Sequence, residues 1–106
     1  MKSTLSALAA LLLVAAVVPA RADQASAIAA VRQVYRVVDA KADTGGNLYV
    51  LVKEENLDWG RYAAALCKLV KPHQARIFRV RMIELTKANN TKPPASWPRL
   101  GEAACG

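Results

Sequence analysis

One histidine and two cysteines are all the chain offers to a soft metal or to thiol chemistry. A structural zinc site takes four such ligands, so this chain cannot build one unaided. There is no C-x-x-C pair, which leaves thioredoxin-like exchange without its motif. A glycine-rich phosphate loop, H-E-x-x-H, G-x-S-x-G and a calcium loop are also missing. No cofactor and no metal are expected. Acidic residues are scarce, 8 against 15 Lys and Arg. Three of them, Glu54, Glu55 and Asp58, cluster on a connector. There they serve solvation and a helix start, since paired-carboxylate catalysis needs two acids held across a cleft. The longest apolar run, Leu5 to Val18, is about 14 residues where a bilayer core needs roughly 20. A membrane span is therefore not expected.

That short run has another use. Lys2 precedes it, Pro19 breaks it, and Ala20 and Ala22 stand three and one residues before a polar start at Asp23. This is the layout of a cleavable export signal over residues 1–22, with a cut after Ala20 as the alternative. No cysteine lies near the cut, so a lipid anchor is not supported. The alanine-rich leader with its single lysine has a bacterial style. The protein is expected in the periplasm or secreted, as one small domain over residues 23–106. Without Lys2 and Arg21 its formal charge is about +5.

A chain of this size buries only about 60–65% of its unfolded surface and gains from a covalent staple. In an oxidising compartment the two cysteines read as a disulfide, Cys67–Cys105. The rival is a reactive Cys67 with His73 as its base. Six residues apart, they do not share a helical face.

Apolar positions Ile28, Val31, Tyr35, Val38 and Ala42 recur every three or four residues and predict a helix from Asp23 to Ala42. Asp39 is placed to pair with Arg36 along it, and Thr44-Gly45-Gly46-Asn47 to stop it. Leu48 to Val52 is β-branched and aromatic, and predicts a strand buried on both faces. A second helix runs from about Leu57 to Val70, capped by Asn56 or Asp58 and ended by Pro72. Trp59, Tyr62, Ala63, Leu66 and Val70 form its apolar face, with Cys67 at the border. Ala75 to Leu85 alternates, which predicts a second strand. Phe78, Val80 and Met82 are set toward the second helix, and Ile77, Arg79, Arg81 and Ile83 away from it. The long connection between the strands suits a β-α-β crossover. Residues 86–106 hold Pro93, Pro94 and Pro98 and read as an irregular tail, anchored by Trp97 and Leu100 and clasped by Cys105. The fold class is α+β, in the order helix, strand, helix, strand, stapled tail.

The most suggestive constellation is basic. Arg79 and Arg81 share one side of a strand, with Arg76, Lys68 and Lys71 close in sequence. Arginine forks match phosphate, sulfate or carboxylate groups. The simpler use of such residues is a solvated face that discourages edge pairing. The reading is a non-enzymatic binding or accessory protein that meets a protein or an anionic envelope component through this basic face. Export argues against nucleic acid. The alternatives are a thiol or hydrolytic enzyme using Cys67 and a secreted inhibitor- or toxin-like module. A two-stranded sheet would leave open edges, which a homodimer would pair.

Overall fold

The computed structural model describes residues 21–73 and 75–106, with backbone alone at 21–23. The expected leader lies outside the described residues except for its last two positions. The elements are α1 (Arg21–Arg32), β1 (Val37–Ala42), β2 (Asn47–Val52), α2 (Trp59–Val70), β3 (Arg79–Glu84) and β4 (Gly101–Ala104). The strands form one mixed sheet in the order β1-β2-β3-β4. The two hairpin-type pairs, β1/β2 and β3/β4, are antiparallel, and the central pair β2/β3 is parallel. The fold is α+β, and α2 lies on the connection between the two parallel strands, as the β-α-β pattern requires.

Both helices cover one face of the sheet. Ala40, Leu48, Val50, Val52, Val80 and Met82 are buried there against Ala27 and Val31 of α1 and Trp59, Ala63, Leu66 and Val70 of α2. The other face is partly covered by the chain between β3 and β4. Trp97, 5% exposed, lies over Tyr49 and Ile83. Its ring meets that of Tyr49 edge-on at 6.0 Å, and its Nε1 donates to the Asn89 carbonyl at 3.1 Å. Trp97 thus anchors the tail, and Leu100 packs against the helix-side core. β2 is buried on both faces because both layers press on it.

α2 forms where its apolar spacing places it. Asp58 caps it by accepting the Arg61 amide at 3.0 Å, and a 3-10 turn over Lys71–His73 closes it around Pro72. Cys67 is bonded to Cys105.

Three expectations need correction. The first helix ends at Arg32, not at Ala42. Arg36 takes a left-handed backbone (φ 78°), which no α-helix continues through, and the β-branched Val37 and Val38 enter a strand. Asp39 accordingly pairs with Arg32, at 2.9 Å, while Arg36 pairs with Glu55. The residues expected to stop the helix turn a hairpin instead. Asp43 accepts the Gly45 and Asn47 amides, and Gly46 sits at φ 83°.

The second correction is to the tail. Its last part is β4, which pairs with β3 from Met82↔Gly101 to Arg79↔Ala104. The four strands put the open edges on β1 and β4, so a two-stranded sheet no longer supplies the reason for pairing protomers. The third concerns phase. Ile77 is buried with the helix-side core and Phe78 is 61% exposed, the reverse of strict alternation. Arg76 has a left-handed backbone (φ 53°), and the Phe78 and Arg79 amides both donate to the Gly46 carbonyl. The chain rolls there before the regular strand begins at Arg79.

Candidate functional site

The basic residues singled out in the sequence fall into two groups on different parts of the molecule. Arg79 and Arg81 lie on the sheet face away from the helices, with Tyr49 and Ile83. Glu102 of β4 stands opposite Arg81. Its carboxylate is 3.4 Å from Arg81 Nε, 3.6 Å from Arg79 and 3.4 Å from Arg99. Arg81 also lies over the Tyr49 ring, 5.9 Å from its centroid, and Lys41 lies 5.0 Å from the centroid of Trp97. The two arginines are therefore neutralised in part by a carboxylate on a strand that sequence patterning did not disclose.

The same face carries a buried tyrosine network. Tyr49 donates its hydroxyl to Asp43 at 2.9 Å. Burial opposes ionisation of Asp43. Hydrogen bonds from the Asn47 amide, the Tyr49 hydroxyl, the Asn47 side chain and the Gly45 amide outweigh it and hold the carboxyl below its ordinary value. Burial, then the hydrogen bond to Asp43 and that group's charge, push the Tyr49 hydroxyl up, so it stays protonated and donating. This network fixes the hairpin to the sheet.

Lys68, Lys71 and Arg76 come together elsewhere. The end of α2, the segment 75–78 and the segment 104–106 enclose a groove of about 730 Å³. Cys67, Val70, Ile77 and Phe78 supply apolar walls, and the disulfide sits in the lining. Lys68, Lys71 and Arg76 are exposed on the groove, and its lining holds no Asp or Glu side chain. Among the described residues none of the three cations has an ion-pair partner, in contrast to Arg32, Arg36, Arg79, Arg81 and Arg99. The left-handed turn at Arg76 makes the site, because it turns Phe78 out of the core and into the groove wall.

No protein-family model, no curated protein and no solved structure matches the chain. The chemistry rests on the residues alone.

One further contact has catalytic elements. Ser26 Oγ of α1 lies 2.8 Å from Nδ1 of His73, a pairing across 47 residues that no local pattern signals. A hydroxyl and an imidazole at this distance resemble a nucleophile and its base, but the base needs a third group to orient it. Among the described residues His73 has no carboxylate partner, and both side chains lie on the outside of the fold. The contact ties α1 to the turn after α2. Cys67, the nucleophile of the thiol reading, is committed to its bond with Cys105. No group of three metal-ligating side chains occurs among the described residues, and none of their helices is long and apolar enough to cross a membrane.

Proposed function

We propose that this chain is an exported, non-enzymatic binding or accessory protein, working in the periplasm or outside the cell, and that it takes an anionic partner at the groove beside the disulfide. The observation that carries the reading is the combination at that groove of three cations without an ion-pair partner, apolar wall residues and no acidic side chain. A concave apolar surface with a few convergent polar groups is the usual form of a ligand site. Lys68, Lys71 and Arg76 give it a sign. Arg79 and Arg81, shared with Glu102, have less free charge to offer and act through the general field of a basic domain. The disulfide supports an oxidising compartment.

The test uses an anionic apolar dye, anilinonaphthalenesulfonate, beside the neutral dye Nile red. The wild-type protein should enhance the anionic dye's fluorescence. Lys68→Glu, Lys71→Glu and Arg76→Glu combined should weaken that binding by roughly 10-fold or more at low salt, with Nile red changed much less. Equal binding of the anionic dye by wild type and triple variant would refute the groove as an anion site. Expression of the full chain in a bacterial host, followed by mass measurement, tests export. A product starting at Asp23 or Arg21 in the periplasm or medium is expected, and an uncut cytoplasmic chain would sink that part.

A further inference from the structure

We infer that the occupant of this groove is a free single-chain amphiphile with a carboxylate head, of the fatty-acid class. This rests on the preceding reading of the groove as an anion site and adds the chemical nature of the ligand. Two features of the lining must be met together. Phe78, 61% exposed, presents apolar surface beside the nearly buried Val70 and Ile77, and a small hydrophilic anion such as phosphate would leave it wet. Lys68, Lys71 and Arg76 present charge that a neutral apolar ligand would partly desolvate and leave unpaired. An acyl chain lying on the first set, with its carboxylate at the second, satisfies both. A volume of about 730 Å³ is in the range of small-molecule sites.

Other anionic partners fit less well. An acidic peptide would need partners for its own amides and carbonyls, as strand addition provides. The Phe78 and Cys105 amides beside the groove are already spent on the Gly46 and Phe78 carbonyls. A bilayer surface is met by an amphipathic helix with a free apolar face or by a protruding anchor. Here α2 turns its apolar face to the sheet, and Phe78 is the one large exposed apolar side chain in the lining.

Displacement of anilinonaphthalenesulfonate from the full mature protein tests this, with all amphiphiles kept below micelle formation. Dodecanoate should displace the dye at micromolar concentration. Dodecanol should be roughly 10-fold weaker or more, and butanoate and inorganic phosphate should not compete. Ala64→Glu places an acid in the lining at an exposed helical position without removing a contact. It should weaken dodecanoate about 5-fold or more and leave dodecanol unchanged. Phe78→Ser, at an exposed wall position, should weaken dodecanoate and dodecanol alike. Unchanged near-ultraviolet circular dichroism identifies the variants that are folded and can be compared. Equal potency of acid and alcohol, or a folded Ala64→Glu protein that binds dodecanoate as wild type does, would overturn the inference. So would displacement by an acidic peptide or phosphatidylglycerol vesicles but not by dodecanoate. A dye that binds in the charge-dependent manner above and is not displaced by dodecanoate defeats the ligand class alone. A protein that does not bind the dye and does not bind dodecanoate by calorimetry defeats both readings.

Discussion

Glu102 of β4 holds Arg81 of β3 across the strand pair, with a carboxylate oxygen 3.4 Å from Arg81 Nε, and Arg79 and Arg99 share the same carboxylate. Arg81 Nε and Glu102 Oε2 are enclosed without an aligned hydrogen bond, so the pair acts through charge. Arg81 is 15% exposed and Glu102 33%. Replacing Glu102 by Gln should leave Arg81 enclosed with no counter-charge. A loss of about 1–2 kcal/mol in urea denaturation is expected, below the value for a fully buried pair because water reaches the carboxylate. Arg81→Met added to Glu102→Gln should recover part of it. An unchanged denaturation midpoint in the single variant would show that Glu102 does not anchor β4.

The Cys67–Cys105 bond joins α2 to the residue following β4 and closes a loop across 38 positions. Reduction, or Cys67→Ala with Cys105→Ala, should cost about 2–4 kcal/mol, the range expected when such a constraint is lifted from the unfolded chain. The loss should appear as a lower Tm. Native protein should titrate no thiol under denaturing conditions and weigh two hydrogens less than the reduced chain. A free thiol in the purified protein would contradict the bond.

Asp43 makes stability depend on pH in a defined direction. Its carboxyl lies below the ordinary 3.8 when folded, because the hydrogen bonds it accepts outweigh burial. Its contribution is complete above the unfolded value and is lost as pH falls through the lower folded one. Asp39, lowered first by the Ala40 amide and further by Arg32, acts the same way. Stability should therefore drop below about pH 4, and Asp43→Asn should flatten that limb. Parallel acid limbs for wild type and variant, measured by denaturation from pH 6 to 2, would remove Asp43 as a cause.

Gly101 lets β4 meet the start of α2. A Cβ there would lie 2.6 Å from the Gly60 nitrogen and 2.7 Å from the Trp59 carbonyl carbon. Backbone atoms cannot rotate away, so Gly101→Ala should cost about 1–3 kcal/mol as β4 is pushed from the helix. Gly45→Ala is the control. Its nearest contacts would be 3.4 and 3.5 Å, both to side chains, and it should change stability by less than about 0.5 kcal/mol. Similar losses in both variants would show that crowding at Gly101 is not the cause.

The central strands, α2 and the disulfide were legible in the sequence because each depends on local pattern or on a unique pair. Val50 and Met82 pair in parallel register, and Asp58 caps α2, as their surroundings suggest. The segment from Val34 to Val38 misleads because its apolar residues fit helical spacing, while the stop lies in the backbone at Arg36. β4 carries no strand signature in Gly-Glu-Ala-Ala. It is a strand because β3 has an edge to offer and Cys105 is tied down beyond it. Of the site, Lys68, Lys71 and Arg76 could be named from their closeness in sequence. Their separation from Arg79 and Arg81 could not, since it depends on the roll at Arg76 that also exposes Phe78.

The pairing of β1 with β2 slips by one residue between Val37 and Asp39, so Val38 has no opposite number. Such an extra residue bends its strand and interrupts the even row of amides and carbonyls. β1 is the sheet's outer strand on that side, and Asp39 and Lys41 follow the slip. A foreign strand approaching there finds a broken template and a charge of either sign. Edge-to-edge pairing of further chains is disfavoured on that flank, as it is in general by bulges and charges on an edge strand.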